Sequence, residues 1–544
     1  MVALRGIRAG LALDAAGARA LREAMLFEAG KWDPQHAEGS ALAPYAILLD
    51  PALWRELATL AEGMAKELLA AERALAGHPE RWKDLGLPRS FIRGATAALR
   101  AGGLPAEGPR TIRFDLHPTT AGWRLSEANT DVPGGFLEAA WLPRILLRLH
   151  GRPEACPCGD PGGALALALA ERLLPSAGAR SGDAGGSLKA PSGARPRDGR
   201  TAASASDRGA APVVALLHAT AFVDDRQVME HLARALSAEG LRPVLAAPDQ
   251  IVPARDDSLA LRTSWYEGAI DGVVRFYPGE WLGLLRHGSG WPALARAHLP
   301  QSNPPSSLLV QSKRLALLAE RGEVPPMPTF LAALPETCDL RAVIEAEWFR
   351  GRCRRQFQRR PWGRLWDWID RCVPRARRRS GDTSDAEVGG HGRGGADGRA
   401  SARAEGLVRA RAAPGAARQP DAEAGALEPR FLGEEWVLKP ALGRVGDGVL
   451  VAGAVGQRER LEVLAEARAA PGDFVAQRRF HSISLMTPEG ERHFCLGLFT
   501  VDGRAVGAYG RVAARARIDG NAQDVAVLVD DGSTLDRVRL EPPE

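Results

Sequence analysis

Apolar residues recur at three- and four-residue spacing over much of the N-terminal part of the chain, with charged residues between them. The pattern is clearest in WRELATLAEGMAKELLAAERAL, which begins at Trp54. This spacing places the apolar side chains on one face of an α-helix. We therefore predict that residues 12–105 are mostly helical and that helical structure resumes at Leu137.

The interruption is TIRFDLHPTTAGWRLSEAN, in which the apolar period changes to two. Ile112, Phe114 and Leu116 alternate with polar residues before the HPTTAG turn, and Trp123 and Leu125 do so after it. Strict alternation on both sides of a turn is typical of a β-hairpin. The pattern predicts a hairpin within 110–136, inside an N-terminal region that spans 1–175.

Strand and helix patterns alternate in the middle of the chain. VVALLH, DRQVMEHLARALSAEG and RPVLAAP predict a strand, a helix and a strand, and DGVVRFYP predicts a further strand. Such alternation is typical of an α/β domain with parallel strands. We predict this domain over 212–300, followed by a segment over 301–345 that contains the short helix SKRLALLAERG.

Strand patterns dominate the segment 430–544. EEWVLKPALGRVGDGVLVAG predicts a strand, a glycine-rich loop and a second strand, and FVAQRRF predicts a short strand. HFCLGLFTVDGRAVGAYGRVAARA predicts a hairpin that turns at Asp502-Gly503. The fold class expected for the chain is therefore mixed α/β, with α+β character.

Two segments lack a pattern that could form a core. Residues 176–211 are mainly Gly, Ala, Ser and Arg, and we predict a disordered insert there. The insert at 346–429 opens with an Arg- and Trp-rich stretch and continues as Gly, Ala and Arg. Two interpretations of this stretch are open. It could be a patch that binds a membrane surface or a nucleic acid, or it could be a solvated surface extension. Pro361 and Gly363 interrupt any continuous amphipathic face, which favours the extension.

Composition narrows the class of protein. A chain of 544 residues is too long for one ordinary core, which indicates two or three domains. The formal net charge of +5 is small and the arginines are dispersed, so we expect no nucleic-acid partner. No uncharged apolar run is long enough to span a membrane, and the N-terminus is a poor signal peptide. With its dispersed cysteines, the chain is expected to be reduced and cytoplasmic.

The hairpin carries a candidate metal site. Alternation places Arg113 and Asp115 on one face of its first strand, and Glu127 and Asn129 on one face of its second. If the register aligns these faces, Asp115, Glu127 and Asn129 converge, and oxygen ligands without histidine or thiolate suit Mg²⁺. A slip of one residue would separate them. The alternative is a plain polar face followed by an Asx-type turn at Asn129-Thr-Asp131.

A second candidate site is KPALGRVGDG, where Lys439 ends a strand and Gly443 and Gly446 lie in the following loop. Backbone N–H groups of such a loop can bind phosphate, and the lysine adds a positive charge. The segment is not a P-loop, because no Gly-Lys-Ser/Thr opens a helix. An ordinary glycine-rich hairpin is the alternative, and Lys313 and Arg511 taken singly are equally explained as surface residues.

Together these motifs resemble the circularly permuted ATP-grasp enzymes, particularly glutathionylspermidine synthase. The resemblance rests on RFD, EANTDVP, LKPALGRVG and the strand before Arg511. In ATP-grasp ligases the phosphate lysines precede the metal ligands, whereas here the metal set comes first. The fold implied is a circularly permuted ATP-grasp fold with a pre-ATP-grasp α/β domain and a helical N-terminal region. The amidase domain of the bifunctional synthases is not recognisable.

The resemblance implies ATP and Mg²⁺ as cofactors and a role for each candidate residue. Asp115, Glu127 and Asn129 would bind the metal, and Arg113 and Arg511 would lie near the transferred phosphoryl group. The residues that would bind ATP, through its phosphates or around adenine, are Lys313, Lys439, Gly443, Gly446, Phe474 and Gln477.

The activity implied is that of an ATP-dependent carboxylate–amine ligase, in which an amine attacks an acyl phosphate. Its partners would be a small-molecule acid and a small-molecule amine. Two alternatives keep nucleotide binding: a protein without ligase activity, and a phosphotransferase acting on a small molecule. The loop His218–Arg226 is a candidate substrate loop, although helix capping by Asp224 or Asp225 explains it equally well.

Overall fold

The computed structural model describes residues 6–36, 39–104, 108–151, 158–174, 211–253, 258–285, 290–342, 435–443, 448–451 and 455–530. The chain divides into two compact units, Met1–Asp339 with Leu432–Glu544, and Leu340–Phe431. All of the structure discussed below belongs to the first unit. The Arg- and Trp-rich insert at 346–429 lies outside the described residues, as does the insert at 176–211 except for Ala211.

Several helices begin at side chains that cap them. The Asp50 side chain accepts the N–H of Ala52 at 2.7 Å, and Asp160 accepts the N–H of Gly163 at 2.9 Å. None of the described helices has the length and apolar content that crossing a membrane requires. The described α-helices are α1 Ala15–Ala24, α2 Pro51–Ala76, α3 Arg89–Arg100, α4 Phe136–Leu149, α5 Pro161–Leu173, α6 Val223–Ala238, α7 Gly279–Leu282, α8 Trp291–Leu294, α9 Leu308–Gln311, α10 Leu315–Glu320, α11 Pro328–Ala333 and α12 Gln457–Ala469.

The longer strands follow clear apolar patterns: Thr111–Thr119 begins with an apolar period of two, and Leu42–Leu49 is an apolar run that ends before Asp50. The described strands are β1 Ile7–Gly10, β2 Gln35–His36, β3 Gly39–Ser40, β4 Leu42–Leu49, β5 Thr111–Thr119, β6 Gly122–Asn129, β7 Val213–Leu217, β8 Arg242–Ala246, β9 Ile251–Pro253, β10 Leu259–Arg262, β11 Glu267–Ala269, β12 Gly272–Arg275, β13 Gln301–Ser302, β14 Thr337–Asp339, β15 Trp436–Pro440, β16 Leu450–Val451, β17 Phe474–Arg478, β18 Ser484–Thr487, β19 Gly490–Val501, β20 Arg504–Ala513 and β21 Gln523–Val529.

The largest sheet of the described residues joins distant parts of the chain. Its strand order is β1-β4-β21-β20-β19-β5-β6, and β18 pairs with β19. β21 lies parallel to β4, and β19 lies antiparallel to β5. Both predicted hairpins, β5–β6 and β19–β20, are present. The segment that carries the candidate metal ligands therefore packs beside the C-terminal segment.

The strand β4 lies inside the stretch that was predicted to be mostly helical. That prediction is confirmed for α1, α2 and α3 and is wrong for β4. The sequence LAPYAILL is buried along nearly its whole length. Tyr45 and Ile47 pack with α2 on one side, and Leu42 and Leu48 pack with α1 and α4 on the other. A strand covered on both faces lacks alternation, which is why the periodicity missed it.

A second sheet confirms the α/β prediction for the middle of the chain. Its order is β13-β12-β7-β8, and every neighbouring pair is parallel. Val214 and Leu216 of β7 pack against α6, while Ala215 and Leu217 share a core with β9 and β10 on the other face. A further sheet has the order β14-β17-β15-β16. The mixed α/β class is therefore confirmed.

Candidate active site

The β5–β6 hairpin has the register that the metal prediction required. Asp115 lies opposite Glu127, and Arg113 lies opposite Asn129. Directly opposed residues of an antiparallel pair project from the same face of a sheet. The register shifts only beyond these residues, between Asp115 and Leu116. The register is therefore the one on which the convergence of Asp115, Glu127 and Asn129 depended, while their binding of a metal stays a prediction.

The same face continues across the neighbouring strands. Gly497 of β19 lies between Asp115 and Tyr509, and Arg511, two residues after Tyr509, lies opposite Asp524 of β21. Gly497 has no room for a side chain, because a Cβ would come within 2.4 Å of the Tyr509 ring. We call this polar face the sheet floor, and its residues are Arg113, Asp115, Glu127, Asn129, Cys495, Tyr509, Arg511 and Asp524.

A cavity of about 790 Å³ lies over the sheet floor. Phe474 does not line it, because it lies three positions before Gln477 and its side chain therefore leaves the opposite face of β17. Gly446 lies outside the described residues. The predicted site residues that do line the cavity are Arg113, Asp115, Glu127, Asn129, Lys313, Lys439, Gly443, Gln477 and Arg511.

Ion pairs occupy both hairpin carboxylates. Lys313 Nζ donates to Glu127 Oε1 at 2.8 Å. Arg113 binds the Asp115 carboxylate through Nε at 2.7 Å and through Nη2 at 2.9 Å. Asn129 Nδ2 lies 3.3 Å from Asp115 Oδ2. Each acid therefore has a cation as its partner, and a metal ion would compete with that cation for the carboxylate oxygens.

Lys439 enters the cavity from β15, on a different sheet. Its Nζ donates to the carbonyl of Ser126 at 3.0 Å, and the residue is only 8% exposed. Burial, and secondly the charge of Lys313, lowers the pKa of Lys439 to about 8. Lys313 Nζ also lies 3.4 Å from the carbonyl of Gly443, at the start of the glycine-rich loop. Two nearby lysines of this kind favour an anionic ligand such as phosphate.

A buried polar network that sequence analysis did not find holds the end of β6. Gln311 Oε1 accepts the N–H of Thr130 at 2.7 Å and that of Asp131 at 3.0 Å. Asn303 Nδ2 donates to the carbonyl of Thr130 at 2.8 Å. Asp131 pairs with Arg275 at the end of β12, and both side chains are fully buried. The network fixes the hairpin against the parallel sheet and so fixes the direction of its polar face.

A second charged cluster beside the sheet floor was not predicted either. Lys31 Nζ lies 2.7 Å from Glu138 Oε1, 3.2 Å from Asp524 Oδ2 and 3.4 Å from Asp33 Oδ1. All of these residues line the cavity. They come from the segment after α1, from α4 and from β21, so no local motif joins them. The available signal was the scarcity of lysine, since Lys31 is one of six in the chain.

The hairpin residues suit Mg²⁺ that arrives with phosphate. Their donors are two carboxylates and an amide oxygen, all hard oxygen ligands. Across the described parts of the chain, no three His, Cys, Asp or Glu side chains are grouped as a metal site would need. Mg²⁺ commonly binds one or two carboxylates and completes its coordination with water and substrate phosphates. The set therefore fits Mg²⁺ with a nucleotide and does not fit a metal held by protein alone.

Comparisons with known proteins give structural neighbours but no sequence family. No family model and no curated protein sequence matches the chain. A glutathione synthetase-like effector from Globodera pallida, in its apo form, has a TM-score of 0.48 and 10% identity, over 90% of each chain. A candidate gamma-glutamylcysteine synthetase from Methylobacillus flagellatus KT has a TM-score of 0.32 and 12% identity, over 85% of this chain and 88% of that chain. Neither score establishes a shared fold, so the proposal below rests on the geometry of this chain.

Proposed function

We propose that this protein is an ATP-dependent carboxylate–amine ligase with a circularly permuted ATP-grasp fold, similar to glutathionylspermidine synthase. One observation carries the proposal: the opposed acids Asp115 and Glu127 share a cavity with Lys313 and Lys439, which come from distant segments. Carboxylates for Mg²⁺ beside lysines for phosphate are what a site for Mg–ATP needs.

The ion pairs suggest how the side chains bind the nucleotide. Asp115, Glu127 and Asn129 would hold Mg²⁺, which would offset negative charge on the phosphates. Mg²⁺ would compete for the Glu127 carboxylate with Lys313, whose Nζ lies 2.8 Å from Oε1. Lys313, displaced from Glu127, would then bind phosphate beside Lys439, whose buried ammonium donates to the carbonyl of Ser126.

The other predicted residues have roles at the two ends of the nucleotide. Gly443 and Gly446 would offer backbone N–H groups to the phosphates, and the strand Phe474–Gln477 would border adenine. Arg113 and Arg511 would stabilise the phosphoryl group during its transfer to the substrate carboxylate.

No side-chain nucleophile is needed, because the amine substrate attacks the acyl phosphate directly. The thiol on the sheet floor is that of Cys495. Burial, and secondly the charge of Asp115, raises the pKa of Cys495 well above its ordinary value. The thiol therefore stays protonated and unreactive, which supports direct transfer over a covalent enzyme intermediate.

The proposal extends to the organisation of the chain. Segments 110–136, 301–345 and 430–544 would form the ATP-grasp part, and 212–300 would form the substrate domain. The pairing of β5 with β19 supports the first assignment, because it joins segments that the permuted order separates. The parallel sheet of β7, β8 and β12 supports the second.

Turnover can be tested with the full chain, Mg–ATP and a panel of amino acids, small peptides and polyamines. The proposal expects ADP, phosphate and an amide, which mass spectrometry would detect. Nucleotide binding without turnover would instead identify the non-ligase alternative, and a phosphorylated product without an amide would identify a phosphotransferase. Either of these results contradicts the ligase proposal.

Glu127→Gln tests the metal role, because the amide keeps the shape of the side chain and removes its charge. We expect Mg²⁺-dependent ADP formation to fall by on the order of 100-fold, with an unchanged circular dichroism spectrum. Glu171→Gln is the matched control, since Glu171 is exposed on α5 and does not line the cavity. A wild-type rate for Glu127→Gln at low Mg²⁺ would rule out the metal role.

A further inference from the structure

The cluster around Lys31 lies at the far end of the sheet floor from the hairpin. Asp524 of β21 lies directly opposite Arg511 of β20, so the carboxylate and the guanidinium project from the same face. β21 is three strands from β5, and each interstrand spacing is about 4.8 Å. An acyl phosphate held near the hairpin and an amine approaching it would fit within that span.

Asp524 and Glu138 both contact Lys31, but they are not equivalent. Lys31 Nζ is 2.7 Å from Glu138 and 3.2 Å from Asp524, and the two acid side chains are 10% and 15% exposed. Burial opposes the charge of Glu138, but Lys31 overcomes this effect and lowers the pKa of Glu138. For Asp524, burial outweighs Lys31 and raises its pKa. Asp524 is therefore the more accessible acid and the one that takes up a proton more readily.

We infer that Asp524 is the general base that deprotonates the amine substrate, and that Lys31 and Glu138 are positioning residues that orient its carboxylate. The inference rests on the proposed ligase function and deepens it. Asp524 lines the cavity and lies beside Arg511, where an amine would approach the acyl phosphate. A positioned base commonly contributes about 10²- to 10⁴-fold to a rate.

The proposed step balances in protons and electrons. The ammonium group of the amine gives one proton to the Asp524 carboxylate, and the freed lone pair forms a C–N bond to the carbonyl carbon of the acyl phosphate. The C–O bond to phosphate breaks, and phosphate leaves with that electron pair. The phosphate takes the second proton from nitrogen, which leaves a neutral amide. Asp524 then returns its proton to solvent.

The charges around Asp524 predict how this step depends on pH. Lys31 and Arg511 favour the carboxylate, whereas burial and Glu138 favour the protonated acid. Amide formation should fall as the pH drops through the raised pKa of Asp524, because the base becomes protonated. The titratable and charged groups that face Asp524, or that face Lys31 beside it, are Lys31, Asp33, Glu138, Asp224, Tyr509 and Arg511.

Hydroxylamine separates base catalysis from acyl-phosphate formation, because it is largely unprotonated at neutral pH and needs no base. The test uses the acid and the amine that give the most ADP in the panel above. Asp524→Asn should lower amide formation about 100-fold, while hydroxamate formation from the same acid stays close to that of the wild type. The variant should also lose the acidic limb of the pH profile, and stabilisation by Mg–ATP should show that its cavity is intact.

Glu171→Gln serves again as the control, because Glu171 is exposed on α5 and does not line the cavity. It should keep the wild-type ratio of amide to hydroxamate. If Asp524→Asn does not fold, Asp524→Glu replaces it, and its displaced carboxylate should lower amide formation more than hydroxamate formation.

The outcomes separate the two proposals. An unchanged ratio of amide to hydroxamate in a folded Asp524 variant overturns the inference and leaves the ligase function standing. The absence of ADP and hydroxamate from wild-type protein with every acid overturns the ligase function and the inference with it.

Discussion

Lys439 occupies a position where a lysine is costly without an anionic partner. Its folded-state pKa is lowered from 10.5 to about 8, chiefly by burial. The unfolded chain therefore holds the proton more tightly, and protonation of Lys439 opposes folding at neutral pH. This cost is relieved as the pH rises from about 8 towards 10.5. A bound triphosphate would relieve it at neutral pH by supplying the counter-charge.

We predict that ATP binding is coupled to proton uptake at a pH slightly above the Lys439 pKa of about 8. The free lysine is then largely neutral, and phosphate favours its charged form. Calorimetry in two buffers of different ionisation enthalpy measures the uptake. Lys439→Met should bind ATP more weakly and take up fewer protons on binding. Without ligand, it should be more stable than the wild type. Equal proton uptake by both proteins would contradict the assignment of Lys439 to phosphate.

At the residue scale, the sequence allowed the shared face of Asp115 and Glu127 to be predicted, because a two-residue period specifies which side chains project together. It could not predict that Asp524 approaches Lys31, because that contact depends on strand pairings that no local pattern encodes. Phe474 and Gln477, both predicted to border adenine, lie on one short strand. Their separation of three residues sends the two side chains to opposite faces, so that only Gln477 lines the cavity.

At the scale of elements, the orientation of the hairpin depends on its anchor to β12. Asp131 pairs with Arg275 and accepts the N–H of Gly279 at 2.7 Å. Because both charged side chains are fully buried, neither can find water as a substitute partner. The hairpin and the parallel sheet are therefore expected to lose their relative position together with this pair.

Asp131→Asn is predicted to lower the free energy of unfolding by about 3–5 kcal/mol, because it leaves the Arg275 charge buried without its counter-ion. Chemical denaturation measures the change. Glu267→Gln removes a carboxylate from a pair with Arg262 in which both side chains are more than half exposed. That control should change stability little. Similar losses of stability in Asp131→Asn and Glu267→Gln would show that burial does not determine how much an ion pair contributes to the free energy of unfolding.

Elements were predictable where the local pattern and the tertiary environment agree. β7, α6 and β8 are short apolar runs around an amphipathic helix, and the parallel sheet buries them as that pattern indicates. β4 was missed because cores on both of its faces remove the alternation that marks a half-buried strand. The permuted ATP-grasp arrangement stays a prediction. It concerns the order of the elements along the chain, which the presence of each predicted element does not test.

At the scale of the whole molecule, the principal sheet depends on both ends of the described chain. β21 lies between β4 and β20, and β19 lies between β20 and β5. The inserts predicted at 176–211 and 346–429 contribute no described strand to it. Their composition, poor in large apolar residues beyond the Arg- and Trp-rich stretch, offers little surface to bury.

We predict that deleting residues 382–425 leaves folding and stabilisation by ATP nearly unchanged, because loop-closure entropy varies slowly with length. A chain that ends at Asn521 should instead lose cooperative unfolding, since it lacks the strand between β4 and β20. Thermal denaturation with and without Mg–ATP measures both variants. The assignment would be contradicted if the deletion variant were no longer stabilised by ATP while the chain ending at Asn521 still unfolded cooperatively.

The parallel pairing of β4 with β21 also bears on biosynthesis. β4 leaves the ribosome early, with β1 as its antiparallel neighbour, but its other edge waits for a strand near the end of the chain. At roughly 5–20 residues per second, that partner arrives tens of seconds later. Throughout this interval the apolar sequence LAPYAILL has one edge open to pairing with another nascent chain. The yield of folded protein is therefore expected to depend on how well chaperones shield β4 until β21 has been synthesised.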